Sequence, residues 1–129
     1  MDLLWLAGGG ALGTLSRYAV YRCLPTFSAT GLPHATILVN VVGSFVFGLL
    51  AVLATETDWI SSRVRWVLLT GFLGAFTTFS TFAYETVEML RAGRPGLALA
   101  NGLLQNFGAI GGCAPGLAAA PSWAASRLP

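Results

Sequence analysis

Residues 71–85 read GFLGAFTTFSTFAYE, and they sit in the middle of an apolar stretch covering residues 64–90. Glycine costs conformational entropy in a helix, threonine is stiff at χ1, and a threonine hydroxyl competes for its own backbone. Two glycines followed by a run of hydroxyl and aromatic residues are therefore poor material for a continuous lipid-facing helix. Backbone that leaves helical geometry at membrane depth is tolerated only where protein or a water-filled cavity surrounds it. Broken helices of this kind present freed carbonyls to a cation, or a helix N-terminus to an anion. The alternative is an unbroken helix whose threonines bond back to their own carbonyls.

Working outward, the rest of the chain places this segment in a membrane. The 129 residues are 55% hydrophobic and 9% charged, against about 25% charged in soluble proteins. Charges and prolines divide them into four apolar stretches, roughly 3–24, 35–55, 64–90 and 97–120. Each comes close to the span of about 20 residues that a hydrocarbon core requires. The reading predicts an all-α membrane protein with four transmembrane helices, the third of them broken, in a single domain over residues 1–129. The connections at 25–34, 56–63 and 91–96 are too short for a soluble domain. The opening MDLLWLAGGG lacks the positive n-region of a cleaved signal peptide and is expected to remain as the start of the first span.

Charge narrows the partners. Lysine is absent, and seven arginines face five acids for a net charge of +2. No basic stripe exists to track phosphates, so nucleic acid is not an expected partner. Arg63, Arg65 and Arg127 flank one side of the predicted bundle, and Arg22, Arg91 and Arg94 flank the other. Cytoplasmic loops are normally richer in Lys and Arg, and here the bias is close to nil. Such balance fits a weakly oriented protein, and it also permits insertion in both directions and antiparallel pairing of two copies. Cys23 and Cys113 form no CxxC pair, and metal binding through thiolates is not expected.

Sixteen glycines exceed what the short connections can use. Gly9 with Gly13, Gly108 with Gly112, and Gly112 with Gly116 stand at GxxxG spacing, and Gly43, Ser44 and Gly48 make a small patch. Small residues one turn apart let helices approach closely in lipid, which predicts a tightly packed bundle or oligomer.

Beyond the predicted break, Phe79 and Phe82 are three apart and share a helical face, with Thr77, Ser80, Thr81 and Tyr84 supplying hydroxyls on adjoining faces. The positive edge of an aromatic ring can contact a small anion weakly enough to let it leave, although two such residues also serve as lipid-facing or core side chains. Asn40 is a lone amide among aliphatics in TILVNVVGSFVFG. It can donate to an anion or make an interhelical hydrogen bond. Arg17 either snorkels to the interface or concentrates anions at a pore mouth. His34 has no assigned role. Glu85 and Glu88 share a helix face without metal-binding or acid–base companions. With one histidine, no phosphate loop and no HExxH, nothing supports an enzyme.

With GGGALGTLSRY, TILVNVVGSFVFG and GFLGAFTTFSTF occurring in that order, the chain resembles the Fluc (CrcB) fluoride-channel family. The resemblance implies an antiparallel dual-topology homodimer with two fluoride pores, embedded in the lipid of the inner (plasma) membrane, that exports fluoride passively and relieves its toxicity. It implies that Phe79 and Phe82 line the anion path with Asn40. Thr78, Ser80, Thr81 and Glu85 match polar positions near the pore, and Arg17 matches the arginine of the aqueous vestibule. Backbone carbonyls of Gly74 and Thr77 match those holding a structural Na⁺ at the dimer interface. The chain departs from the family in the fourth stretch, NGLLQNFGAIGGCAPG. Asn101 and Gln105 stand there where tyrosine and serine are usual, and Pro115 is placed to bend or end the helix. The competing class is a small dual-topology secondary transporter or exporter. That class would be favoured by a carboxylate central to the first span, and none is present.

Overall fold

The computed structural model describes residues 2–24, 30–56 and 60–118. Expectations touching Met1, the inner parts of the first two connections, or the tail that holds Arg127 fall outside these residues. Every regular element among the described residues is helical. α1 (Asp2–Cys23) and α2 (His34–Glu56) are uninterrupted, with 22 and 23 residues, about 33–35 Å each at 1.5 Å per residue. The third apolar stretch is composite. α3 (Ser62–Arg65), capped by the Ser61 side chain, runs into a π-helical segment (Trp66–Leu73) and then α4 (Gly74–Phe76). Thr77 and Thr78 follow with extended dihedrals (φ −81°, ψ 159° and φ −152°, ψ 112°), and α5 (Phe79–Arg91) starts beyond them.

The turn after α5 satisfies its last carbonyls in a Schellman arrangement. Gly93 takes φ +69°, its N–H donates to Leu90 O, and the Arg94 N–H donates to Met89 O; glycine occupies that left-handed position without strain. Pro95 then opens α6 (Pro95–Ala118), which continues through Pro115 for three more residues. The proline neither ends the helix there nor stops it early. An α-helical proline forfeits one N–H bond, and α6 accepts that loss.

Four helical runs therefore cover the four apolar stretches. His34–Ala54 and Ser62–Arg91 are long and apolar enough to cross a membrane by length and composition. α1 and α6 match them in length, but glycines at 8, 9, 10 and 13 and at 102, 108, 111, 112 and 116 dilute their apolar character. Gly9, Gly13, Gly108, Gly112 and Gly116 lie where neighbouring helices approach closely. α2 lies along α6, α1 lies on the π-helical segment and α4, and α5 contacts α6. A Cβ at Gly13 would overlap the carbonyl oxygen of Phe72, and one at Gly116 would overlap that of Phe45. Backbone meets backbone at both interfaces.

The Arg63–Asp2 ion pair holds the start of α3 beside the start of α1, as an alternating up-and-down path demands. The buried apolar core is small, comprising Ala35, Val39, Leu73, Met89 and Ala98. Leu3, Tyr84, Phe107 and Ile110 are among the large side chains left exposed. An apolar exterior of that extent requires lipid or another protein against it.

Candidate functional site

The site begins where the third run loses its helical bonds. In a continuous helix the Thr78 N–H would donate to the carbonyl of Gly74 four residues back. It donates instead to Asn40 Oδ1 at 2.8 Å. The Thr81 N–H, which would serve Thr77 O, donates to Thr78 Oγ1 at 3.2 Å, so Thr78 acts as the N-cap of α5. Asn40 completes the clasp from its other end, Nδ2 donating to Thr78 O at 3.0 Å. One carboxamide on α2 thus replaces both halves of a backbone pairing at Thr78. The second Nδ2 hydrogen goes to Gln105 Oε1 on α6, 2.8 Å away, and both donors of Asn40 are engaged. Thr77 does bond back to its own helix, Oγ1 to Leu73 O at 2.9 Å, whereas Thr78 does not.

A cavity of about 320 Å³ opens beside this clasp, lined by Asn40, Thr77, Thr78, Phe79, Phe82 and Gln105 together with residues of α2 and α6. Phe79 and Phe82 meet edge to face, with centroids 5.3 Å apart and planes at 64°; Phe79 is 74% exposed. Buried Thr78 gathers the neighbouring hydroxyls, its Oγ1 lying 3.3 Å from Ser80 Oγ and 2.9 Å from Thr81 Oγ1. Ser80 and Thr81 stand behind the cap and do not line the cavity. Ser44, Phe47 and Cys113 do line it.

Glu85 lies away from the cavity. Its Oε1 accepts from Thr36 Oγ1 at 2.7 Å, and the Thr36 hydroxyl in turn contacts Tyr21 Oη at 2.8 Å, tying α5, α2 and α1 together. Glu88, three residues on, turns outward and pairs with Arg91 at 3.0 Å, so the two glutamates do not work on one face. Tyr21 and Thr36 do not stand out in the sequence. Thr36 precedes Asn40 by four residues and Gly43 by seven, a helical-face spacing that marks it once Asn40 is known to point inward. Asn101 donates to Thr86 Oγ1 at 2.9 Å and is absent from the cavity lining. Arg17 Nη1 donates to Thr77 O at 3.2 Å, which sets the guanidinium against the interrupted backbone.

Similarity to known proteins extends over nearly all of this framework. The family described as CrcB-like protein, Camphor Resistance (CrcB), matches residues 4–117. A protein from Deinococcus radiodurans named fluoride-specific ion channel FluC is 49% identical over 98 residues, covering 75% of this chain and 77% of its own. The protein of the same name from Nitrosococcus oceani is 47% identical over 89 residues, 69% and 71% of the two chains. That from Koribacter versatilis is 38% identical over 106 residues, 82% and 84% of the two chains. The matched region contains α1 through nearly all of α6, and with it the clasp, the phenylalanine pair and the cavity: this chain belongs to the CrcB-like family.

Proposed function

We propose that the protein is a fluoride-selective channel that lets fluoride leave the cell down its own gradient, with no enzymatic step. The observation that carries this reading is the cavity at the interrupted third helix, in which aromatic rings, the N-terminus of α5 and carboxamides converge without a lining cation. A strongly hydrated anion needs replacements for its water, yet must not be held tightly. The positive edges of Phe79 and Phe82 supply weak contacts. The first N–H groups of α5 and the helix dipole supply partial positive charge. Arg17, beside Thr77 O, raises anion concentration at the approach. The names of the relatives support fluoride as the ion. Purified protein in liposomes tests the reading directly: fluoride efflux should be fast and independent of ATP or a pH gradient. Slow, saturating, proton-driven efflux would replace the channel with a transporter.

The working unit we propose is an antiparallel homodimer in the inner membrane, surrounded by lipid, with all four helical runs crossing it. A structural Na⁺ fits the residues at the break. Gly74 and Thr77 have lost their i+4 donors to Asn40 and Thr78, and neutral carbonyl oxygens suit a hard cation. Arg17 uses one acceptor position of Thr77 O, and a carbonyl has a second. Two oxygens from one chain are too few for such an ion, so a second copy has to contribute the rest. When bound, the ion would supply positive charge that ties the two interruptions together. This chain's own contribution is to hold both carbonyls at the interruption through the Asn40 clasp.

A further inference from the structure

We propose that the cleft between the start of α1 and the start of the third run is a phospholipid site that takes a phosphoethanolamine headgroup. The inference needs only that the chain spans a membrane, and it is independent of which ion passes. A cavity of about 420 Å³ lies there, lined by Asp2, Leu3 and Leu6 of α1 and by Arg63, Trp66 and Val67 of the third run. It shares no residue with the cavity at the interrupted helix. Its chemistry changes with depth. At the outer end Arg63 Nε donates to Asp2 Oδ1; one turn further along the two helices the lining is Leu6, Trp66 and Val67. Both apolar stretches begin at this level, at residues 3 and 64. The ion pair therefore stands at the water boundary, and the Trp66 indole, 59% exposed, occupies the interfacial layer in which tryptophan collects.

Charge decides the headgroup. One guanidinium and one carboxylate leave the lining with no net charge, so a purely anionic lipid meets Asp2 as well as Arg63. The pair is also incompletely used, because its side chains are 58% and 75% exposed and are joined only through Nε and Oδ1. A guanidinium has five N–H donors and a carboxylate two acceptor oxygens. Arg63 thus keeps its Nη groups for a phosphate, and Asp2 keeps Oδ2 for an ammonium. A primary ammonium carried beside a phosphate supplies both partners. Choline has no N–H to donate, and a glycerol headgroup has no cation. The acyl chain then covers Leu6, Trp66, Val67 and Leu3, the last of them 80% exposed, which is the apolar surface that needs a cover.

Trp66 becomes the single tryptophan when Trp5, Trp59 and Trp123 are changed to phenylalanine, and its fluorescence then reports on the cleft. This parent protein is placed in phosphatidylcholine liposomes holding graded fractions of a lipid brominated near the headgroup end of its chains. Half-quenching should need about threefold less brominated phosphatidylethanolamine than phosphatidylcholine, the scale of one exposed ion pair, and phosphatidylglycerol should do no better than phosphatidylcholine. Asp2→Asn leaves an uncompensated guanidinium and should turn the preference over to phosphatidylglycerol. Adding Arg63→Gln to that variant should make the three lipids equal. Arg65, at the same end but outside the lining, provides the control: Arg65→Gln should quench as the parent does. Equal quenching by the three lipids in the parent overturns the site, and a parent preference for phosphatidylglycerol overturns the headgroup assignment. So does an Asp2→Asn variant that loses the ethanolamine preference without gaining the other, since the ion pair would then only brace two helices. An Arg65→Gln variant that loses the preference would place the effect in diffuse surface charge and overturn the site as well.

Discussion

Asn40 shows how much a single side chain can carry here, since its three hydrogen bonds join α2 to the interrupted helix twice and to α6 once. Replacing it by leucine strands the Thr78 N–H, the Thr78 carbonyl and Gln105 Oε1. Each buried orphan costs about 1–3 kcal/mol before relaxation. Asn40→Leu should lower the thermal unfolding midpoint in detergent and abolish efflux, whereas Asn40→Asp, which still accepts from Thr78 N–H, should retain more of the stability than the leucine variant. Equal midpoints for the two would mean that the clasp does not hold the break. The sequence shows a lone amide with two possible duties; it cannot show which, because the partners lie 38 and 65 residues away. The phenylalanines are legible in a different way. Their i, i+3 spacing puts both rings on one face, and the structure places them edge to face beside the cavity. Changing either to isoleucine keeps bulk and removes the positive edge. Efflux should then fall about tenfold, the scale of an aromatic contact worth roughly 1.5 kcal/mol, while size-exclusion elution stays unchanged. Wild-type efflux from both variants would remove the rings from the mechanism.

At the scale of elements, the least helical portion of the third run is the part that borders the cavity. Composition locates the departure well: the hydroxyl-rich segment contains both extended residues, Thr77 and Thr78. The π-helical segment from Trp66 to Leu73 has no signal, since apolar residues in WVLLTGFL suit either spacing; it packs on α1. Glycine pairs are legible as close-approach sites, and their partners again are not. Gly13 meets the backbone of Phe72, and a methyl group there must push α1 off the π-helical segment. Gly13→Ala should destabilise by about 1–3 kcal/mol, as overpacking does. At Gly8, earlier in α1, a methyl group would have nothing within 4 Å; Gly8→Ala should be neutral or slightly stabilising, because alanine is the better helix former by about 1 kcal/mol. Chemical unfolding of both variants in one detergent decides the matter, and equal effects would place the α1 interface elsewhere.

For the whole molecule, the decisive quantity is the near balance of arginines between its two ends, three against three over the full sequence. Arg22, Arg91 and Arg94 stand at one end and Arg63 and Arg65 at the other among the described residues. Two of them are drawn into local pairs, Arg63 with Asp2 and Arg91 with Glu88, one at each end, so pairing leaves the balance intact. Retention of arginine on the cytoplasmic side sets orientation only when one end is richer, and with little to choose between them both orientations should be populated. Each copy also exposes large apolar side chains over most of its length. In the dimer proposed above, opposite orientations would let the same surface meet itself about a two-fold axis lying in the membrane plane. The test uses Thr30→Cys, an exposed position between α1 and α2, in a protein with Cys23 and Cys113 changed to serine. A membrane-impermeant thiol reagent should label about half of the protein from outside intact cells and about half in inverted vesicles, in keeping with the absence of a charge bias. Labelling confined to one side would exclude the antiparallel dimer and leave the clasp, the cavity and the channel reading to be explained by a parallel assembly.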